Sequence, residues 1–298
     1  YYTVQQGTGR RKPAAATTAP PLPAEEDGVA SALERLKLGF FKRLVTAQPE
    51  ESLVDGMRAY TLGDEAAALE HLRGATGIPD AEYLAGFIRL KRGELDAAEA
   101  HLRRALTPAG ELGTYYARYG VSPHISFPID DGITAEIRPT LHGVYMGLAT
   151  VCRYAHRWAD AVGWLRKLWE LNPQDLVVRL ALLELYMEQQ PGNKATCEQV
   201  LKLTELLEND SPTHAALLHY RAMALRYLGM PEAARTILSA LMKRTAGYPE
   251  ELAQAIRYER ALAYEALGQK VRARRDLERI FATDPGFADV RARLESGA

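Results

Sequence analysis

The chain has 298 residues, 47% hydrophobic and 25% charged, which is long and apolar enough to bury one large core or two ordinary ones and excludes overall disorder. Its 37 Lys and Arg against 38 Asp and Glu leave a formal net charge of −1, so no nucleic-acid partner and no general attraction to an anionic membrane are expected. Cys152 and Cys197 show neither disulfide-framework nor Cys-x-x-Cys spacing, which makes a reducing, cytoplasmic setting the expectation, and no apolar run approaches the ~20 residues that span a bilayer.

Residues 1–28, YYTVQQGTGRRKPAAATTAPPLPAEEDG, are rich in Pro, Ala, Thr and Gly without a helical period, which predicts a flexible linker. The GTGRRK within it lacks the preceding strand and following helix that a phosphate-binding loop requires. The chain opens on Tyr1 rather than Met, which leaves room for an upstream signal, anchor or domain. Over residues 29–48, Val29, Leu33, Leu36, Phe40 and Leu44 draw one apolar stripe flanked by Arg35, Lys37, Lys42 and Arg43. The stripe predicts an amphipathic helix that caps a helical array. Its basic flanks, with Phe40 and Phe41, are the one feature through which a membrane partner enters this reading.

Beyond this helix the chain repeats. Aligned on Gly63, Gly93, His156, Gly229 and Gly268, it places a small residue seven positions earlier (Gly56, Gly86, Ala149, Ala222, Ala261), alanine five positions later (Ala68, Ala98, Ala161, Ala234, Ala273) and leucine nine positions later (Leu72, Leu102, Leu165, Leu238, Leu277). The small residues lie on a first helix and the alanine and leucine on a second, with the aligned residue in the tight turn between them. A further unit between Asp175 and Asn209 puts Cys197 in the alanine place, so both cysteines read as buried packing residues.

This pattern resembles the tetratricopeptide repeat (TPR) family. In YERALAYEALGQKVRARRDLERIFATDP, the residues Ala261, Tyr264, Gly268, Ala273 and Pro285 match that family's small, aromatic, turn, alanine and terminal-proline places. Arg89, Leu225 and His156 depart from it. The resemblance implies an all-α, right-handed superhelix of antiparallel helix pairs, about six repeats, with repeats 1–2 over residues 49–107 and repeats 3–6 plus a C-terminal helix over 142–298. It also implies a concave groove lined by the first helices, at Met57, Tyr60, Tyr83, Phe87, Met146, Arg153, Tyr154 and Met187, then His219, Met223, Arg226, Tyr227 and Tyr258. Aromatic and methionine linings suit an apolar helix or extended peptide of another protein. The Lys and Asn with which chaperone-binding relatives hold a terminal carboxylate are absent here, leaving Arg153 and Arg226 as single anchors for an acidic group.

Residues 108–141 interrupt the array. The spacing from Gly93 to His156 exceeds that from Gly63 to Gly93 by 33 residues. Within the insertion, HISFPIDDGITAEIRP alternates apolar and polar residues, which predicts a β-hairpin over 124–138. A two-residue turn at Asp131-Gly132 pairs Ile129 with Thr134. A three-residue loop, Asp130-Asp131-Gly132, instead pairs Ile129 with Ile133 and makes the apolar faces coincide, so it is the expected register. The apolar face of Ile125, Phe127, Ile129, Ile133 and Ile137 is expected to pack on the helices and close the gap between the second and third repeats, and the alternative makes Phe127, Ile129, Ile133 and Ile137, with the tyrosines of GTYYARYG that precede the strands, candidates for contact with a partner.

Catalytic, cofactor and metal sites find no support. His71 and His101 are echoes of the repeat, His214 and His219 stand five apart rather than four, and no Ser, His and Asp constellation or nucleotide loop is visible. The sequence therefore reads as a non-catalytic protein-interaction scaffold. The alternatives are a structural subunit of a homo- or hetero-oligomer, or a membrane-associated adaptor acting through its N-terminal segment.

Overall fold

The computed structural model describes residues 26–37, 47–106, 111–123 and 125–296. These fall into two compact units, one lying within 16–127 together with Glu136–Pro173, the other comprising Pro128–Ala135 and residues within 174–298. We call them the N-terminal and C-terminal units.

The N-terminal unit contains α1 (Glu26–Arg35) and three helix pairs: α2 (Gln48–Thr61) with α3 (Glu65–Leu72), α4 (Pro79–Lys91) with α5 (Leu95–Ala105), and α7 (Leu141–Tyr154) with α8 (Trp158–Leu171). The short α6 (Thr114–Tyr119) precedes the hairpin strands β1 (Ile125–Asp130) and β2 (Ile133–Ile137). The C-terminal unit pairs α9 (Leu176–Gln189) with α10 (Lys194–Leu203), α11 (Pro212–Tyr227) with α12 (Pro231–Leu241), and α13 (Glu250–Ala266) with α14 (Lys270–Thr283), and ends on α15 (Val290–Glu295).

Local chemistry starts and stops these helices. Asp64, Thr140, Asp175, Asn193 and Ser211 each accept a backbone N–H of the first turn that follows, and Pro79, Pro212 and Pro231 occupy first-turn places where no N–H is needed. Each first helix of the five aligned repeats ends on a left-handed residue, at φ 81°, 76°, 56°, 77° and 70° for Gly63, Gly93, His156, Gly229 and Gly268. Around it the backbone closes in the same way. The N–H of Asp64 donates to the carbonyl of Ala59, and those of Glu94, Arg157, Met230 and Gln269 do likewise to Arg89, Cys152, Leu225 and Tyr264.

The repeat's small residues do what their spacing predicts. Ala68, Ala98, Ala161, Ala234 and Ala273 have no solvent exposure, and a Cβ built on Gly56 or Gly86 would stand 2.8 Å from the side chain of Leu72 or Leu102. Cys152 and Cys197 are likewise fully buried, and burial is the main cause that raises both thiols' pKa.

Three sequence expectations change. Helix α1 begins at Glu26, inside the stretch read as linker, and ends at Arg35, with Leu36 buried just beyond it, so the described helix is ten residues rather than one running over 29–48. Phe40, Phe41 and Leu44, and the remainder of the linker, lie outside the described residues. The hairpin turn has two residues, not three: Asp131 and Gly132 both adopt positive φ, 33° and 78°, the signature of the type I′ turn that Asp-Gly favours. Finally, the tyrosine cluster is tied inward. The Gly113 and Tyr115 N–H groups donate to the two carboxylate oxygens of Asp80 at 2.5 and 2.7 Å, the Tyr116 hydroxyl donates to the Asp80 carbonyl at 3.0 Å, and the Tyr119 hydroxyl donates to Glu50 at 2.8 Å.

Candidate ligand-binding hollow

In the C-terminal unit, two successive first helices and the segment after Pro285 surround a hollow of about 470 Å³. The helical period decides who faces it. On α11, His219, Met223, Arg226 and Tyr227 fall at i, i+4, i+7 and i+8, and on α13, Ala255, Tyr258, Glu259 and Leu262 fall at i, i+3, i+4 and i+7. Phe287, Ala288 and Arg293 close one side, and Asp131 of the hairpin turn lines another.

Its apolar wall is built from Met223, Leu262, Tyr227, Tyr258 and Phe287, with the Tyr258 and Phe287 rings edge to face at 5.7 Å between centroids. Its charged groups are paired. Arg226 forks onto Glu259 through Nε to one carboxylate oxygen and through Nη2 to the other at 3.3 Å, while its guanidinium lies 4.4 Å from the centre of the Tyr227 ring. Arg293 donates to Asp289 at 2.9 Å and to Glu265 at 2.5 Å, and the Tyr258 hydroxyl also donates to Asp289. Burial pushes the Glu259 pKa up, and the Arg226 charge opposes it.

His219 differs from these groups. It is 6% exposed and its Nδ1 is buried without a hydrogen-bond partner. Burial, reinforced by the nearby Arg226, depresses its pKa to about 4, so the ring is neutral at pH 7. The hairpin turn is seated against the same unit. The Tyr220 hydroxyl on α11 bonds Asp130, and a Cβ on Gly132 would lie 2.6 Å from the side chain of Pro249, just before α13.

The hollow thus gathers His219, Met223, Arg226, Tyr227 and Tyr258 from the residues named by sequence. The others do not join it. Met57, Tyr83, Phe87, Met146 and Met187 are 0–5% exposed and are packing residues here, not groove-facing ones. The Tyr83 ring lies tilted against Phe87 at 4.7 Å and edge to face with Tyr116 at 6.3 Å between centroids, and Phe87 lies so close to Gly147 that a Cβ there would meet its ring at 2.7 Å. Tyr60 is half-buried, and burial, with Glu65 nearby, raises its phenol to about 12. Arg153 is half-buried and Tyr154 exposed, both on α7. Ile129, Ile133 and Ile137 of the hairpin are 2–7% exposed, buried in the fold rather than presented to a partner, and the side chain of Phe127 lies outside the described residues. Arg226 is no free anchor for an acidic group, because Glu259 already occupies it.

Sequence reasoning missed Asp131, Glu259, Phe287 and Arg293. Glu259 carried a signal, since it follows the groove residue Tyr258 directly and precedes Leu262 by three, on the same helical face. Among the described residues, no group of three or more His, Cys, Asp or Glu is placed to hold a metal ion, and no helix is long and apolar enough to cross a membrane.

No protein-family model and no curated protein matches the sequence. Among solved structures, the N-terminal domain of the EccA1 ATPase from the ESX-1 secretion system of Mycobacterium tuberculosis is similar, with TM-score 0.61 at 18% identity over 84% of this chain and 89% of that one. The Cut9-Hcn1 hetero-tetramer of the APC/C aligns with TM-score 0.49 at 16% identity over 91% of this chain and 48% of its own, and a tetratricopeptide repeat protein from Parabacteroides merdae with TM-score 0.41 at 15% identity over 84% and 99%. The helix pairs, their small-residue contacts and their left-handed turns make the fold TPR-like, all-α with a β-hairpin insertion between the second and third helix pairs.

Proposed function

We propose that this chain is a non-catalytic protein-interaction scaffold that seats a segment of a partner protein in the hollow between α11 and α13. The observation that carries the reading is the hollow itself, in which three aromatic rings, Met223 and Leu262 surround a volume of about 470 Å³ within the ~300–1,000 Å³ range of ligand sites. Flexible methionine and amphipathic tyrosine are the side chains that adapt to a peptide's alternating chemistry. The unpartnered Nδ1 of His219 adds a buried polar atom, a kind of group that interiors rarely leave unsatisfied.

The test is selection from a random dodecapeptide library on the intact chain, repeated on a Met223→Asp/Leu262→Asp variant whose helicity is checked by circular dichroism. The scaffold reading expects a peptide family enriched on the intact chain and lost from the folded variant. Equal enrichment on both, or none on the intact chain, contradicts it.

A further inference from the structure

We propose that an arginine stripe along α14, separate from the hollow, docks an acidic segment of a partner protein. In a chain whose formal net charge is −1, α14 alone carries five cations against two carboxylates. Both carboxylates are taken. Asp276, 3% exposed, is forked by Arg260 of α13 at 2.8 Å to each oxygen, and Glu278 accepts from Arg274 at 2.9 Å. Glu232, the α12 carboxylate that acts on Arg272, is held by Arg235. Arg272, Arg275 and Arg279 remain, at i, i+3 and i+7 on one exposed face of α14. Arg272 donates to the uncharged side chain of Gln269 at 2.9 Å, and among the described residues none of the three forms an ion pair. Like charges at these spacings repel one another, and an incoming anion relieves them.

Arg257 extends the stripe onto α13, ~200° of helical turn away from the hollow residue Glu259. Its Nε is buried with no hydrogen-bond partner among the described residues. Burial lowers its pKa, Asp276 opposes that, and Arg279 and Arg260 add to it, so three guanidiniums here share one carboxylate that Arg260 already holds. Carboxylates are the ligands that fit. A guanidinium matches a carboxylate through two parallel N–H bonds, and the three α14 guanidiniums spread over ~10 Å of helix, a length that a few acidic residues span. A long nucleic acid fits less well, because its charge runs on beyond the stripe across a chain that is net acidic outside α14.

The experiment measures, by fluorescence anisotropy at ~50 mM salt, the binding of labelled hexaglutamate, hexaglutamine and a thymidine oligonucleotide of equal charge to the full chain. Three proteins are compared: the parent chain, Arg275→Gln/Arg279→Gln, and Arg166→Gln/Lys202→Gln, which removes the same charge from exposed places elsewhere. Circular dichroism checks the folding of each. The expected result is saturable binding of hexaglutamate and none of hexaglutamine. Half-saturation should require roughly three- to tenfold more hexaglutamate in Arg275→Gln/Arg279→Gln and change by less than about twofold in the other variant. No binding of hexaglutamate up to ~1 mM, or equal binding of hexaglutamine, overturns the proposal. So does a half-saturation that Arg275→Gln/Arg279→Gln leaves unmoved, or that both variants weaken alike. Tighter binding of the oligonucleotide than of hexaglutamate, lost from Arg275→Gln/Arg279→Gln, makes the stripe a nucleic-acid surface and overturns the acidic-segment assignment. No residue of the hollow enters this test, so its failure leaves the peptide-hollow reading to its own.

Discussion

Arg226 on α11 and Glu259 on α13 form a forked ion pair that joins two successive repeats, and the Glu259 side chain within it is only 4% exposed. Two charges this far from water are held by each other. Removing one leaves the other buried and uncompensated, which costs more than the pair contributes. Glu259→Ala should therefore destabilise the chain by about 3 kcal/mol or more, and Arg226→Met/Glu259→Leu by clearly less. Urea denaturation of the three proteins checks this, and equal losses in single and double variants would contradict it.

His219 gives the chain an acid sensitivity with a definite sign. Its folded-state pKa of about 4 lies below the ordinary histidine value of 6.5, so the unfolded chain binds more protons between those limits. The stabilisation is complete above pH 6.5 and is lost as pH falls toward 4, amounting to roughly 2 kcal/mol by pH 5. Denaturation midpoints at pH 7 and pH 5 should differ less in His219→Gln than in the parent chain. An identical difference in both would remove His219 from the account.

The two helical glycines Gly86 and Gly163 should respond to alanine with opposite signs. A Cβ on Gly86 meets the Leu102 side chain at 2.8 Å and its backbone nitrogen at 3.2 Å, so overpacking outweighs the gain in helix propensity, and Gly86→Ala should destabilise by about 1 kcal/mol. Nothing lies within 4 Å of a Cβ on Gly163, which is exposed on α8. Gly163→Ala should stabilise by about 1 kcal/mol. Thermal melts of both variants settle the signs.

His156 occupies the turn place that glycine fills in the other four aligned repeats, at φ 56°. Its Cβ crowds the backbone in that conformation, so His156→Gly should raise stability by about 1 kcal/mol despite glycine's freer unfolded state. A lowered melting temperature would show that its edge contact with Trp158, at 5.4 Å between ring centroids, matters more.

Asp80 is the tether of the insertion. It is fully buried and accepts the N–H groups of Gly113 and Tyr115 at the start of α6. Asp80→Ala leaves both donors without their acceptor and should cost about 2–3 kcal/mol, with hydrogen exchange accelerated across residues 111–123 before the flanking helices. Uniform acceleration along the whole chain would contradict a local tether.

The repeat was legible because its constraints are local and identical in each copy. A left-handed turn, an alanine with no room around it and a leucine filling the gap leave the same letters at the same offsets, as at Gly93, Ala98 and Leu102. The groove was only partly legible for a physical reason. A first helix has one face toward the concave side and another toward its neighbours, and a 3.6-residue period does not say which neighbour lies where. Phe87 therefore looked like a ligand contact, yet its ring sits against Gly147. In the hairpin, matching apolar rows across the strands favours a three-residue loop, but the turn chemistry of the Asp131-Gly132 pair, both at positive φ, sets a two-residue turn. Asp131 and Arg293 were out of reach, since only folding brings them to the hollow.

The most direct measurement is hydrogen exchange on the full chain, with and without the tightest peptide selected against it. The account predicts slowed exchange in α11 and α13, over residues 212–227 and 250–266, with the smallest changes in α2 to α5. Protection confined to residues 48–105, or none at a saturating peptide concentration, would contradict the claim that this hollow is where the partner binds.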